Sequence, residues 1–116
     1  QSEIVSVVGE LDRQHVLIVD DMIDTAGTIL NAAKVAKEKG ALSVTVAATH
    51  GILSGEAIER LSDDTIDSIF LTDTTNTAEI KNLSKLKIIS SAKIFAETIN
   101  RIHNGESVSQ LFRKVI

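Results

Sequence analysis

The chain has 116 residues, of which 12 are basic and 16 acidic, and a formal net charge of −4. That length suits one domain, and a hydrophobic content of 43% excludes a disordered chain. The absence of cysteine excludes a disulfide framework and a thiol nucleophile. We see no membrane-spanning run and no signal peptide, so we expect a cytoplasmic protein without membrane partners. The mildly acidic balance argues against nucleic acid as a partner.

The first residues of the chain are Gln1, Ser2 and Glu3, and its only methionine is Met22. Because a natural translation product begins with methionine, we interpret the chain as a piece of a longer protein.

Short apolar runs alternate with helical patterns along the chain. Strands are predicted at 4–8, 15–19, 43–48, 66–71 and 87–90, and helices at 28–39, 54–61, 91–103 and 107–112. The β-branched run His15–Val19 is typical of a strand buried on both faces. This alternation predicts an α/β fold with a mostly parallel sheet and, through right-handed crossovers, helices on both faces. Ligands of such sheets bind beyond the carboxyl ends of the strands.

The segment from Asp20 to Thr28 joins the second predicted strand to the helix that follows. Its second half consists of Thr25, Ala26, Gly27 and Thr28. Small residues let a ligand approach the backbone, and unpaired amides, the helix dipole and two hydroxyls suit a phosphate monoester. We therefore predict an anion site at this helix N-terminus.

Carboxylates crowd the first half of the same segment. Asp20 and Asp21 repel a phosphate, but they suit sugar hydroxyls or a hydrated Mg²⁺. A sugar phosphate would satisfy both halves. Each residue alone also has a structural interpretation, since Asp24 or Thr25 could simply cap the helix. Neither the Walker pattern nor the dinucleotide GxGxxG fingerprint is present.

The run from Val16 to Thr28 resembles the phosphoribosyl-diphosphate motif of the type I phosphoribosyltransferase fold. Further segments are similar to the ribose-phosphate diphosphokinases (phosphoribosyl-diphosphate synthetases): Thr49–Gly55 with Ala57–Arg60 behind it, Leu71–Thr74 and Arg101–Phe112. They follow in order along nearly the whole chain and match only the C-terminal part of those enzymes. The resemblance implies that residues 1–116 form one domain, the ribose-5-phosphate-binding C-terminal half of a two-domain enzyme, and are inactive alone.

That family transfers the diphosphoryl group of ATP to C1 of ribose 5-phosphate with Mg²⁺, giving phosphoribosyl diphosphate for nucleotide biosynthesis. The positions implied to bind ribose 5-phosphate are Asp20, Asp24, Thr25, Ala26, Gly27 and Thr28, with Asp21 as a less certain member. A homo-oligomer is also implied, and Mg²⁺ would reach the site through the substrate rather than through ligands of this chain.

The resemblance further implies a regulatory nucleotide or phosphate site near the end of the chain. The matching positions are Ser107, Val108, Ser109 and Phe112. Their alternative interpretation, which the sequence alone favours, is a helix cap with two core residues.

This chain also departs from the family. The ATP-binding residues and the mobile loop with its catalytic Lys and Arg have no counterpart, so we assign no catalytic residue and expect ATP to bind through the missing domain. Glu56 and Asn76 stand where the family usually has proline. Two alternatives stay open: a noncatalytic synthetase-associated regulatory subunit, and a phosphoribosyltransferase, which would need a hood that recognises a base.

Overall fold

The computed structural model describes residues 7–77, 80 and 82–113. Its strands are β1 (His15–Ile23), β2 (Ser43–Gly51), β3 (Ser68–Thr72) and β4 (Leu86–Ile89). Its helices are α1 (Gly27–Glu38), α2 (Ala57–Leu61), α3 (Ala92–His103) and α4 (Gln110–Arg113). The strands form one sheet in the order β1-β2-β3-β4, with every neighbouring pair parallel. The predicted α/β fold with a parallel sheet and flanking helices is confirmed.

The core lies between the sheet and the two crossover helices α1 and α2. Val46 of β2 and Ile69 and Leu71 of β3 pack in one cluster with Ala33 of α1 and Leu61 of α2. Each of these five side chains is at most 2% exposed. Because the α1 residue is only an alanine, that helix lies close to the strands and fixes where its N-terminus sits at the sheet edge.

The opposite face of the sheet is open over β1. Leu17 and Val19 are 60% and 69% exposed, although the sequence predicted a strand buried on both faces. Helices α1 and α2 share one core on one face of the sheet. The strand order supplies the reason: right-handed crossovers that always step in the same direction place their helices on the same side.

Helix α3 also leaves its apolar side open. The four apolar residues that the periodicity places on one face of this helix are all exposed: Ile94, Phe95, Ile99 and Ile102. The helix itself begins and ends within one residue of its predicted bounds. The periodicity therefore identified the helix and its apolar face, but not what that face contacts. None of the described helices has the length and apolar character that crossing a membrane requires.

Several predicted boundaries move. Strand β1 continues to Ile23, four residues past the predicted end, and α2 begins at Ala57 rather than at position 54. Strand β3 begins at Ser68, two residues late, and the Asp67 carboxylate just before it accepts the Val44 amide at 2.7 Å. Of the predicted strand 4–8, residues 4–6 lie outside the described residues, and residues 7 and 8 are not in a strand.

Helix α1 ends at Glu38, one residue before its predicted end, and Gly40 follows shortly after. This glycine has φ +95°, and a Cβ there would lie 2.2 Å from Oδ1 of Asp12. The Gly40 carbonyl accepts the Arg13 amide at 2.8 Å. The glycine thus stops the helix and lets the loop before β1 pack against its end.

Candidate functional site

A cleft of about 170 Å³ opens at the carboxyl end of β1, between that strand and the start of α1. Its lining residues are Asp20, Met22, Ile23, Asp24, Thr25, Ala26, Gly27, Thr28 and Ile29. Six of the seven predicted substrate-binding residues are among them. Asp21 is not. We call residues 24–28 the phosphate loop below.

The two neighbouring aspartates differ because β1 continues through both of them. Successive residues of an extended strand point to opposite faces of the sheet. Asp20 pairs in register with Ala48, which is buried on the core face, and so it faces the cleft. Oδ1 of Asp20 accepts the amide of Asp21 at 2.8 Å. Asp20 is therefore the acid that a ligand in the cleft would meet.

Asp20 also borders a second cleft, on the open face of the sheet. This cleft measures about 230 Å³ and includes Val19, Phe70 and Ile89 among its lining residues. Residue Asp20 thus takes part in the lining of both a loop-lined cleft and a mostly apolar one.

The phosphate loop turns into α1 through a left-handed residue. Ala26 has φ 64° and ψ 13°, is the N-cap of α1, and contributes no side-chain capping bond. Its carbonyl accepts the first helical hydrogen bond, from Leu30, at 2.9 Å. Neither Asp24 nor Thr25 caps the helix, and the first turn carries no acidic side chain. The positive end of the helix dipole therefore faces the cleft without a competing carboxylate on the helix.

Gly27 is not required by the packing of the protein. Its φ is not positive, and a Cβ built on it would meet Nη1 of Arg60 at 3.7 Å and Oγ1 of Thr25 at 3.8 Å. These are ordinary van der Waals distances, so alanine would fit. What the glycine provides is a backbone without a side chain in the lining of the cleft, which a ligand can approach closely.

The loop after β2 holds the phosphate loop from the side. The Ser54 hydroxyl donates to Oδ1 of Asp24, and the Ser54 amide donates to the Asp24 carbonyl at 3.0 Å. Ile52 and Leu53 donate their amides to the carbonyl of Ile23 at 2.9 and 3.1 Å. Ser54 does not cap the helix that follows it, since the N-cap of α2 is Glu56.

A second contact with the phosphate loop comes from α2, and the sequence did not predict it. Nη1 of Arg60 donates to the carbonyl of Thr25 at 2.9 Å, while Nη2 contacts Oε2 of Glu56 at 3.3 Å. The contact with Thr25 joins residues 35 positions apart. The only cue in the sequence was a basic side chain on a helix that starts at the ligand-binding edge.

The four candidate regulatory residues lie elsewhere. The hydroxyls of Ser107 and Ser109 are 2.8 Å apart, just before α4, and none of the four residues lines either cleft. Phe112 is 63% exposed, so its interpretation as a core residue is wrong for the described part of the chain.

Polar side chains at the ends of β2 and β3 bond mainly to each other. Nδ1 of His50 lies 2.7 Å from Oγ1 of Thr74. Asp73 accepts the hydroxyl of Ser91 at 2.5 Å and its amide at 2.7 Å, and these bonds lower the pKa of the Asp73 carboxyl. Over residues 7–77, 80 and 82–113, no group of three or more His, Cys, Asp or Glu side chains could hold a metal ion.

Comparison with known proteins identifies the family. A family model described as the phosphoribosyl synthetase-associated domain matches residues 1–113. The chain belongs to this family. The ribose-phosphate pyrophosphokinases of Caldanaerobacter subterraneus subsp. tengcongensis and Chlorobaculum tepidum are 45% and 47% identical to it over 111 residues, 96% of the chain. The predicted similarity to the ribose-phosphate diphosphokinases is therefore confirmed.

This phosphoribosyl synthetase-associated domain also has a structural relative. The crystal structure of phosphoribosylpyrophosphate synthetase from Mycobacterium smegmatis matches 84% of the chain with a TM-score of 0.81 and 37% sequence identity. The domain spans about a third of these relatives: 35% and 34% of the two pyrophosphokinases, and 33% of the M. smegmatis chain.

Proposed function

We propose that the chain supplies the ribose-5-phosphate site of a ribose-phosphate diphosphokinase. The observation that carries this proposal is the cleft at the end of β1, where the left-handed Ala26 and the bare Gly27 lead into the uncapped N-terminus of α1 beside Asp20. The reaction that we propose is the one catalysed by the homologous ribose-phosphate pyrophosphokinases. It joins the diphosphoryl group of ATP to C1 of ribose 5-phosphate and gives phosphoribosyl diphosphate for nucleotide biosynthesis.

The two ends of the cleft divide the ligand between them. Backbone amides and the dipole of α1, with the hydroxyls of Thr25 and Thr28, bind the 5-phosphate. Asp20 accepts hydrogen bonds from the ribose hydroxyls, which are neutral donors, whereas its charge repels a phosphate anion. Held at both ends, the sugar presents its C1 hydroxyl in one orientation, so this chain contributes positioning rather than charge transfer.

The rest of the reaction belongs to a longer protein. We propose that residues 1–116 are one domain with a phosphoribosyltransferase-like fold, the C-terminal half of a two-domain cytoplasmic enzyme that forms homo-oligomers. ATP then binds through the other domain, and this chain alone is inactive. The relatives support this, because they are about three times as long as the chain.

Mg²⁺ is the cofactor that this chemistry implies. A carboxylate at the cleft rim is the type of ligand that Mg²⁺ accepts while it keeps most of its water and binds substrate oxygens. The exposed Asp20 lines the cleft and suits hydrogen bonds from the water shell of the ion, which would reach the site through the substrate rather than through ligands of this chain. When bound, the ion would neutralise charge on the diphosphoryl group.

A noncatalytic regulatory subunit is the second candidate, favoured by the family description, which names association with a synthetase. Such a subunit has no need of a sugar-phosphate cleft. The cleft, with Gly27 in its lining, therefore supports the enzyme over the regulator.

Amide-resolved NMR of the ¹⁵N-labelled chain tests the proposal. Ribose 5-phosphate is titrated with and without Mg²⁺, and inorganic phosphate serves as the control. We expect shifts concentrated on residues 20–28 and larger for the sugar phosphate than for phosphate. Shifts scattered over the chain, or none at the loop, would argue for the regulatory subunit.

A further inference from the structure

Arg60 joins α2 to the phosphate loop through a backbone atom. Its Nη1 donates to the Thr25 carbonyl at 2.9 Å, and its side chain is one-third exposed. The same nitrogen lies beside Gly27, 3.7 Å from where a Cβ would stand. The guanidinium therefore contacts the loop at the peptide that precedes the left-handed residue.

The orientation of that peptide decides where the next amide points. In a planar trans peptide, C=O and N–H point in opposite directions. When the Thr25 carbonyl is held toward Arg60, the Ala26 amide must point away from it. Because Ala26 carries a Cβ, its left-handed conformation is disfavoured and depends on surrounding contacts to persist.

We propose that Arg60 is a positioning residue of the phosphate loop, fixing the Thr25–Ala26 peptide so that the amides at the start of α1 are aligned before the anion binds. This role rests on the proposed function, since the anion is the phosphate of ribose 5-phosphate. Arg60 acts through the Thr25 carbonyl rather than by touching the ligand.

Glu56 completes the arrangement. Its carboxylate contacts Nη2 at 3.3 Å, so the planar guanidinium is held between an acid on its own helix and a carbonyl of the loop. Guanidinium presents donors in fixed directions, whereas an ammonium is a point charge on a flexible stem. The Glu56 carboxylate also offsets the positive charge, which fits a residue that orients the backbone.

The test compares Arg60→Met, which keeps the apolar stem, and Arg60→Lys, which keeps one donor. Arg101→Met is the matched control. Nη1 of Arg101 also donates to a backbone carbonyl, that of Ser107, at 3.0 Å, but this bond lies outside the phosphate loop. For each 116-residue variant, the amide spectrum without ligand, the melting temperature, and calorimetric Kd values for ribose 5-phosphate and inorganic phosphate are measured at low and high salt.

We expect Arg60→Met to move the amide resonances of residues 26–28 without ligand and to weaken both ligands about tenfold, the scale of a lost hydrogen bond to a charged group. Arg60→Lys should recover part of the loss, and Arg101→Met should change neither property. The salt dependence of Kd should stay that of the wild type, since no ligand contact is removed.

Two results would overturn the positioning role. If the loop amides and both Kd values are unchanged in Arg60→Met while the melting temperature falls, Arg60 only stabilises the fold. If the salt dependence of Kd flattens, Arg60 contacts the phosphate directly. Failure of the proposed function looks different: the wild-type chain binds neither ligand at the loop, while Arg60→Met still moves the ligand-free amides of residues 26–28.

Discussion

The hydroxyl of Ser54, in the loop after β2, donates a hydrogen bond to the carboxylate of Asp24, which lies 30 residues earlier in the loop after β1. This hydrogen bond and the contact of Arg60 with Thr25 attach the phosphate loop to α2 and to the segment that leads into it. The geometry of the cleft therefore depends on residues 52–60 as much as on the loop itself. Substitutions in that segment should change the affinity for the ligand.

Removal of the Thr28 hydroxyl should weaken sugar-phosphate binding. Thr28 lies in the first turn of α1 and lines the cleft. For Thr28→Ala we expect a loss of about 1–3 kcal/mol in binding free energy, the scale of a hydrogen bond to a charged group. Calorimetry with ribose 5-phosphate measures it. Thr98→Ala is the control, a threonine of α3 that donates to the Ile94 carbonyl. Equal affinity in both variants would show that the Thr28 hydroxyl does not contact the phosphate.

The two neighbouring aspartates should behave differently. Asp20 lines the cleft and Asp21 does not. Asp20→Asn should weaken the binding of ribose 5-phosphate several-fold and leave affinity for inorganic phosphate nearly unchanged, since the carboxylate accepts from the ribose hydroxyls at the end of the cleft away from the phosphate. Asp21→Asn is the matched variant and should change neither affinity. Competition titrations with both ligands decide the point, and equal losses for sugar phosphate and phosphate would contradict the assignment of the two ends.

A methyl group at Gly27 should weaken ligand binding without lowering the stability of the fold. Ala fits the surroundings at this position and favours helix by about 1 kcal/mol over Gly. Gly27→Ala should thus unfold at the same or higher urea concentration, yet bind ribose 5-phosphate at least about tenfold more weakly because the methyl occupies the cleft. An unchanged Kd would mean that no ligand approaches this backbone.

Gly51→Ala provides the contrast. A Cβ at Gly51 would lie 2.8 Å from Cδ1 of the buried Leu71. We expect this variant to lose about 1–3 kcal/mol of unfolding free energy by overpacking. If urea unfolding shows the same loss for both glycine variants, the argument that packing leaves room at Gly27 fails.

Stability should fall in acid in part through Asp67. The amide of Val44, bonded at 2.7 Å, and then Lys37, paired at 3.0 Å, lower the pKa of this carboxyl below its ordinary value of 3.8. A lowered folded-state pKa gives a contribution that is present above the unfolded value and is lost as the pH falls through the folded one. In urea unfolding from about pH 5 to about pH 3, Asp67→Asn should therefore show a shallower decline in unfolding free energy than the wild type.

Asp64→Asn is the control for that series, since Asp64 forms no hydrogen bond or ion pair within the described part of the chain. It should follow the wild-type curve. A parallel decline in all three proteins would show that the bond between Asp67 and Val44 makes no pH-dependent contribution.

Contiguous patterns were predictable because their information is local. The β-branched run His15–Val19, the periodicity of α1 and the stop at Gly40 each specify an element without reference to the rest of the chain. The residues that cover each element, in contrast, come from distant parts of the sequence. A β-branched run cannot show that Leu17 and Val19 stay exposed, and the apolar spacing of α3 does not name its contact.

The same limit applies to the site. The phosphate loop is one stretch of sequence, so its composition pointed to phosphate binding. The orientation of Asp21 depends on the continuation of β1 to Ile23, which no residue type announces. The contacts of Ser54 and Arg60 depend on how the chain returns after β2. Such long-range contacts are absent from any local pattern.

Ala26 is buried, with 4% exposure, although its left-handed backbone is one that glycine adopts more readily. A glycine there would relieve the strain and open many other conformations to the empty loop. The alanine methyl keeps the unbound ensemble narrow, so little conformational entropy is left to lose when a ligand arrives. The strained backbone of one residue thus lowers folding stability modestly and raises the affinity for the ligand.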